Sequence, residues 1–179
     1  MASPTLEELC DSLPTPVMVP PYHFVHEIEV PEPFHQLLVH DRHMTTSMEA
    51  FHQSKVTVKV LQSQQKDSWY SRQILLLTLG SKKVVQGGIV RIHLSMLDPA
   101  VQSAILRQDT PLGHILIEHD VLRHIEVTQY LKLEPGPAMK AWPGFSSDQP
   151  SYGRLGILYC DLQPAIELFE VVPGESLVR

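Results

Sequence analysis

Cysteine, charge and long apolar runs are all scarce in this sequence. Its two cysteines, Cys10 and Cys160, form no CxxC pair, so a disulfide framework is not predicted. Charged residues make up 19% of the 179 residues, with a net charge of −6 and no basic run, which disfavours binding to nucleic acid. No segment approaches the roughly 20 apolar residues of a membrane helix. We therefore expect a protein of the reducing cytoplasm that binds neither nucleic acid nor membranes.

The motifs of several enzyme classes are missing as well. There is no GxSxG, GxGxxG or GxxxxGK[ST], so hydrolase, dinucleotide-binding and P-loop functions lack support. The ten histidines are densest in His40-Asp41-Arg42-His43 and Glu118-His119-Asp120, and neither segment has the spacing of metal ligands. Cys160 lies within an apolar segment, which is more typical of a buried small residue than of a nucleophile. No metal ion or cofactor is predicted.

Apolar residues are plentiful, at 43% of the chain, which is enough for a hydrophobic core. We expect an N-terminal arm over residues 1–22 and a single domain over residues 23–179. In the arm, Ser3 is the predicted cap of a helix from Pro4 to Leu13. The first residues include acids and no apolar stretch, so they do not resemble a secretory signal.

Alternation of apolar and polar residues begins at Lys55 and predicts a sheet. Short helices are expected after Pro33, in the segment MTTSMEAFHQ, after Asp98 and from Pro111. The predicted strands are Lys55–Val60, Ser68–Leu79, Val84–Leu94, Val121–Leu133, Gly153–Leu162 and Ala165–Val172, with Gln62–Asp67 as a polar turn. Short links between most strands favour an α+β fold, with one antiparallel sheet of five or six strands and helices on one face. The loop over residues 135–152 is predicted to be a lid, a binding loop or a mobile segment.

Two charged residues interrupt apolar stripes on these strands. Arg72 shares a strand face with Tyr70, Ile74 and Leu76, and Glu170 lies among Ile166, Leu168 and Val172 in the same way. Burial of a lone charge is unfavourable, so each must be paired or must face a polar cavity. One interpretation is a ligand site, in which Arg72 holds a carboxylate and Glu170 contacts a hydroxyl or an ether.

Other interpretations of the two charges remain open at this point. Arg72 lies close to the start of its strand and Glu170 close to the end of the chain, so either side chain would reach solvent from an edge. The two would also satisfy each other as an internal salt bridge without any ligand.

Four segments resemble the chorismate–pyruvate lyase family in their order and spacing. They are LLVHDRHMTTSMEAF at residues 37–51, SRQILLLTLG at 71–80, TPLGHIL at 110–116 and GRLGILYCDLQPAIELFEVVP at 153–173. The resemblance covers most of residues 34–173. It implies a chorismate-lyase-like fold with an internal ligand cavity, a fold also found in the ligand-binding domains of some transcription regulators.

The resemblance also implies which residues form the site. Arg72 would pair with the carboxylate of 4-hydroxybenzoate, which would also face the backbone amides of Met44 and Leu112. Glu170 would meet the ring hydroxyl and act as a catalytic acid or proton relay, with Arg72 as its catalytic partner. Glu167 is the weaker match for this glutamate, because its side chain is expected on the other face of the strand.

Two features depart from the family. The lyases have a second arginine after the glycine of the third strand, where this sequence has Gly88, and the next arginine is Arg91. The loop over residues 135–152 is also longer than the lyase connection. Without the second arginine, a partner for the second carboxylate of chorismate is missing. The substrate can therefore differ from chorismate.

The resemblance implies a cofactor-independent carbon–oxygen lyase that converts chorismate into pyruvate and 4-hydroxybenzoate, or a related hydroxybenzoate. The alternative is a non-catalytic protein of the same fold that binds or senses a small aromatic carboxylate. A helix-turn-helix domain before the fold is not expected, since few residues precede it. The sequence predicts no particular oligomeric state.

Overall fold

A seven-stranded antiparallel sheet forms the centre of the molecule in a computed structural model, which describes residues 3–174. Residues 1–2 of the predicted arm and residues 175–179 of the predicted domain lie outside that range. The strands are β1 (Tyr22–Val25), β2 (Val56–Lys66), β3 (Trp69–Thr78), β4 (Val84–His93), β5 (Arg123–Leu133), β6 (Ser151–Cys160) and β7 (Gln163–Val172). Their order across the sheet is β1-β5-β6-β7-β4-β3-β2. The expected α+β architecture is confirmed, with one strand more than predicted.

Five short α-helices flank the sheet. They are α1 (Leu6–Asp11), α2 (Phe34–Leu38), α3 (Met44–His52), α4 (Pro99–Leu106) and α5 (Leu112–Glu118), with a 3₁₀ turn at Pro137–Ala141. Helices α2 to α5 pack on the face that carries Tyr70 and Ile74, so four of the five helices share one face, while α1 packs on the other. Among residues 3–174, no helix combines the length and apolar character of a membrane span.

The other face of the sheet is covered by α1 and by the loop before β6. Leu6 and Leu9 pack with Leu75, while Trp142 of the loop is 1% exposed and packs against Phe169. Both faces of the sheet are therefore buried. The loop over residues 135–152, predicted to be a lid, a binding loop or a mobile segment, contributes Trp142 to a hydrophobic core, because its apolar side chains cover a sheet face that would otherwise meet water.

The hairpin between β2 and β3 is longer than the sequence indicated. The segment Gln62–Lys66 was expected in a turn, but it continues β2 and pairs with β3 as far as Lys66 and Trp69. Its polar side chains are tolerated because β2 is an edge strand, half-buried to exposed at this end. The turn itself is Asp67 and Ser68, with Asp67 at a φ of 54°.

Two details of the N-terminal arm also differ from expectation. The helix begins at Leu6 with Thr5 as its cap, rather than with Ser3, because Thr5 and Glu8 form a reciprocal capping box. Residues 22–25 form β1, which pairs with β5, although the neighbouring prolines had indicated only an extended segment.

The last two strands form a tight hairpin that positions β7 in the middle of the sheet. Asp161 and Leu162 have φ values of 48° and 67°, so both lie in the left-handed region, and Cys160 pairs with Gln163 across the turn. A turn with two such residues matches the twist of the strands. This register places Glu170 opposite Arg154 of β6 and Gly88 of β4.

Candidate functional site

A cavity lies between the sheet and the helices α3 and α5. Its volume is about 70 Å³, compared with the ~10–15 Å³ that one water molecule requires. Its lining includes all four residues selected from the sequence, namely Arg72, Met44, Leu112 and Glu170. Apolar side chains form much of the remaining wall: Val58, Ile74, Leu76, Val90, Leu116, Ile125, Leu158 and Leu168. A cavity with this lining suits a small, mostly apolar molecule with a few polar groups.

Arg72 is the most unusual residue of the lining. It is 1% exposed and forms no ion pair among residues 3–174. Its Nη1 donates a long hydrogen bond of 3.5 Å to the carbonyl oxygen of Ile105, and its Nε has no partner. Burial lowers the pKa of the guanidinium, and Tyr70 partly opposes this shift. The predicted exposure of Arg72 at a strand end and its predicted salt bridge with Glu170 are both wrong.

Glu170 is paired, but with a residue that was not selected from the sequence. Its Oε2 accepts a hydrogen bond of 2.7 Å from Nε of Arg154, which is 1% exposed. Nη1 of Arg154 also donates to the carbonyl oxygens of Leu38 and His40, both at 2.8 Å. Arg154 therefore ties the end of α2 to the sheet and holds Glu170 in place.

Glu167 lies on the opposite face of the sheet, as its position in the strand predicted. Nε of Arg91 donates to its Oε2, and the guanidinium of Arg91 lies 5.3 Å from the ring centre of Trp69. Neither Glu167 nor Arg91 lines the cavity. Gly88, at the position where the resemblance places the second arginine of the lyases, does line the cavity, and a Cβ there would lie 3.6 Å from Cδ1 of Ile74.

Met44 and Leu112 are the first residues of α3 and α5, and both line the cavity. The first amides of a helix have no acceptor within the helix, and His43 provides no side-chain cap for α3. The two helices approach closely at this point: a Cβ on Gly113 would lie 2.7 Å from Oγ1 of Thr45. Gly113 thus allows the helix starts to meet at the cavity wall.

Two histidines lie beside the guanidinium groups of this region. Burial, with smaller contributions from Arg123 and His114, lowers the pKa of His43 to about 4, and its Nε2 has no partner. Burial and the charge of Arg154 lower the pKa of His40. Both rings therefore favour their neutral forms.

Neither the histidines nor the cysteines form a metal site in the structure. Within residues 3–174, no group of three or more His, Cys, Asp or Glu side chains lies close enough to hold a metal ion. Cys10 and Cys160 are buried, and burial raises the pKa of each thiol to about 12. Cys160 is thus a buried apolar residue, as its surroundings in the sequence indicated.

The rim and one wall of the cavity contain residues that the sequence did not single out. Arg42 and Arg123 are exposed at the rim, and Gln86 lines the interior with a 3% exposed side chain. Arg154 is preceded by a glycine in a segment next to the Pro-rich loop, so its burial was not evident. A polar residue near the start of a strand, such as Gln86, does not indicate a binding site from the sequence alone, because its neighbours depend on the strand register.

The sequence matches no protein-family model and no curated protein at a significant level. The fold is similar to that of three solved structures. PhnF from Mycobacterium smegmatis aligns with a TM-score of 0.51 and 10% identity over 75% of this chain and 64% of PhnF. The gene product SA0254 from Staphylococcus aureus subsp. aureus N315 aligns with a TM-score of 0.46 and 12% identity, over 65% of this chain and 82% of that one.

The third is the possible transcriptional regulator YydK from Bacillus subtilis subsp. subtilis str. 168, with a TM-score of 0.46 and 10% identity over 68% of this chain and 60% of that chain. This chain spans less than two thirds of PhnF and of YydK. At this level of identity, the likeness to PhnF concerns the fold. It supports the chorismate-lyase-like fold that the sequence resemblance implied.

Proposed function

We propose that this protein binds a small aromatic carboxylate in the cavity and acts as a ligand-responsive binding protein. The observation that carries the proposal is Arg72, a fully buried guanidinium in the cavity lining without a carboxylate partner among the described residues. The start of α3 lies at the same cavity and adds the positive end of a helix dipole.

The energetics of Arg72 explain why a ligand with a carboxylate suits this site. An unpaired buried charge destabilises a protein by several kcal/mol. A planar carboxylate matches the fork of donors on a guanidinium and forms short charge-assisted hydrogen bonds with it. A carboxylate ligand would therefore compensate the buried charge, and the apolar walls would hold the ring.

Cleavage of chorismate is the second candidate function. Glu170 favours it, because this acidic group lines the same cavity as Arg72. In this reaction the ether bond between the ring and the enolpyruvyl group breaks, the ring loses a proton and becomes aromatic, and the enolpyruvate takes up a proton to give pyruvate. Arg72 would orient the ring carboxylate and Glu170 would move a proton at the ether oxygen. We rank it second because Glu170 already accepts a hydrogen bond from Arg154.

Binding is tested by the melting temperature in the presence of 4-hydroxybenzoate and of 4-hydroxybenzyl alcohol, which lacks the carboxylate. We expect the acid alone to raise it, by an amount that corresponds to about 2.7 kcal/mol at 100-fold excess over Kd. Arg72→Met should abolish the effect, whereas Arg107→Gln, which changes an exposed arginine outside the cavity, should not. Equal stabilisation by the alcohol would contradict the proposal.

Catalysis is tested by incubation with chorismate and chromatography of the products. Formation of pyruvate and a hydroxybenzoate in equal amounts, lost in Arg72→Met and Glu170→Gln, would establish the lyase. Binding of hydroxybenzoates without pyruvate formation would leave the binding function.

A further inference from the structure

Gln86 is a buried glutamine of the cavity lining whose side chain is not fully hydrogen-bonded. Its side chain is 3% exposed and lines the cavity, and its Oε1 is buried without a hydrogen-bond donor. Leaving a buried acceptor unpaired is unfavourable, because the group loses its hydrogen bonds to water without replacement. Gln73 shows the usual arrangement: it is equally buried, but Gln62 donates to its Oε1 and its Nε2 donates to the carbonyl oxygen of Ala141.

The strand register places Gln86 and Arg72 at opposite ends of one stretch of sheet. Arg72 pairs with Val90, Ile74 pairs with Gly88, and Gln86 pairs with Leu76. Arg72 and Gln86 are therefore four residues apart along the strands, which corresponds to about 13 Å between their backbone positions. Gly88 lies midway between them on the same face and has no side chain, so of the Ile74–Gly88 pair only Ile74 contributes a side chain to the cavity wall between the two polar groups.

We propose that Gln86 determines specificity by accepting a hydrogen bond from a hydroxyl or amino group at the end of the ligand opposite its carboxylate. The ligand would place its carboxylate at Arg72 and its ring above Gly88. This inference rests on the proposed function and narrows the substrate class to aromatic acids with a hydrogen-bond donor in the para position.

Gln86 is better suited to this role than Glu170. The resemblance to the lyases implied that Glu170 meets the ring hydroxyl, but its Oε2 is occupied by Arg154. In addition, Glu170 lies opposite Gly88 in the register, so along the strands it is midway between Arg72 and Gln86 rather than level with Gln86. The unpaired oxygen and the more distant position both favour Gln86.

The experiment measures the dissociation constants of benzoate, 4-hydroxybenzoate and 4-methoxybenzoate by titration calorimetry. For the wild-type protein we expect 4-hydroxybenzoate to bind about tenfold more tightly than benzoate. The methoxy compound has no donor and should lack this gain. In Gln86→Met, an apolar residue of similar shape, 4-hydroxybenzoate and benzoate should bind equally well, while the affinity for benzoate should remain within about twofold.

Two further variants separate the possible causes. Gln73→Met removes a buried glutamine from the opposite face of the sheet and should leave the preference for the hydroxyl group unchanged. Glu170→Gln should also keep most of this preference if Gln86 is the acceptor. Melting temperatures without ligand verify that each variant is folded.

The outcomes distinguish the two proposals. The role of Gln86 is wrong if 4-hydroxybenzoate binds no more tightly than benzoate to the wild-type protein. It is also wrong if 4-hydroxybenzoate still binds more tightly than benzoate to Gln86→Met. In both cases, binding of benzoate would still support the carboxylate site. Loss of the gain in Glu170→Gln alone would assign the hydroxyl group to Glu170. Tighter binding of 4-methoxybenzoate than of 4-hydroxybenzoate would show that the Gln86 amide presents its NH₂ group to the ligand, and would contradict a role as acceptor. If no carboxylate binds, both proposals fail.

Discussion

Arg72 and Arg154 are on the same face of the sheet and are both 1% exposed, but their partners differ. Arg154 has a carboxylate and two carbonyl oxygens within 2.8 Å. Arg72 has one long hydrogen bond to a carbonyl oxygen and an unpartnered Nε. A side chain that a protein retains for structure alone is expected to have its hydrogen bonds satisfied. The contrast distinguishes Arg154, whose hydrogen bonds are satisfied within the protein, from Arg72, whose hydrogen bonds are not, as the proposed carboxylate site requires.

The contrast predicts opposite effects of the same substitution on stability. Arg72→Met removes an uncompensated buried charge, so the free energy of unfolding without ligand should stay the same or rise. Arg154→Met leaves Glu170 and two carbonyl groups without their donor, and should lower it by about 3–5 kcal/mol. Urea unfolding of both variants measures the difference. A large loss of stability in Arg72→Met would mean that Arg72 is structural.

His43 predicts a pH dependence of stability. Its pKa in the folded protein is about 4, below the usual 6.5, chiefly because the ring is buried. As the pH falls from 6.5 towards 4, the unfolded chain takes up a proton on this ring and the folded protein does not. The contribution of His43 to the free energy of unfolding, which is fully present above pH 6.5, is therefore lost over this range. In His43→Gln the decrease in unfolding free energy over this range should be smaller. An unchanged decrease would show that other groups account for it.

The sequence was informative about single residues where a charge interrupts an apolar alternation. That pattern selected Arg72 and Glu170 correctly as members of one face, because a period of two fixes which side chains share it. It did not select Arg154, and it left a salt bridge between Arg72 and Glu170 among the open alternatives. Pairing depends on which strands are neighbours: β3 lies beside β2 and β4 and not beside β7, whereas β6 and β7 form a hairpin that places Arg154 opposite Glu170.

The helix starts of α3 and α5 meet at Gly113, which has a consequence for substitution. A Cβ at this position would lie 2.7 Å from Oγ1 and 2.9 Å from Cβ of Thr45. Two helix ends that carry backbone amides to the cavity would have to separate. The close approach thus belongs to the site as well as to the packing of the helices.

Gly113→Ala should lower the free energy of unfolding by about 1–3 kcal/mol, since overpacking forces helices or side chains to shift. It should also weaken binding of 4-hydroxybenzoate, because Met44 and Leu112 move with their helices. Thr45→Ala in the same protein should restore part of both losses, and a double-mutant cycle measures the coupling. Strictly additive effects of Gly113→Ala and Thr45→Ala on the free energy of unfolding would show that there is no steric overlap between the two side chains.

The loop before β6 was predicted to be a lid, a binding loop or a mobile segment. Its packing against the sheet was not predicted. Proline and glycine spacing identifies a loop, but the burial of Trp142 depends on a sheet face distant in sequence. Gly87 allows the Trp142 ring to pack closely on the sheet, since a Cβ at Gly87 would lie 2.7 Å from that ring. The polar end of β2 was missed for a similar reason, because pairing with β3 overrides its polar composition.

Trp142→Ala should therefore destabilise the whole protein by about 3–5 kcal/mol, as expected for a large buried aromatic residue. Limited proteolysis should then cleave within residues 135–150, and we expect the same segment to be cleaved much more slowly in the wild-type protein. If the loop were a lid, the substitution would instead change ligand binding and leave the free energy of unfolding almost unchanged.

Over the whole molecule, the net charge of −6 contrasts with the arginines around the cavity. An anionic ligand is repelled by the protein at a distance and attracted at the rim, where Arg42 and Arg123 are exposed. Nearby charges act more strongly than distant ones, and salt screens both. The rim therefore governs the approach of the ligand.

Binding of 4-hydroxybenzoate should weaken about two- to fivefold between about 0.05 M and about 0.5 M NaCl. In the double variant with Arg42→Gln and Arg123→Gln, the effect should disappear or reverse, because only the overall negative charge remains to be screened. Titrations at several salt concentrations measure it. The same dependence in wild-type and variant proteins would exclude a contribution of the rim.

The burial of the sheet on both faces has a consequence for how such a protein changes over evolutionary time. Substitutions around the cavity act on one side, while α1 and Trp142 maintain folding from the other, and effects of distant sites usually add. New ligand preferences can then accumulate without loss of the native structure. The sheet thus separates the side that carries the cavity from a side that only maintains folding, which is consistent with the likeness of this fold to that of a protein with 10% sequence identity.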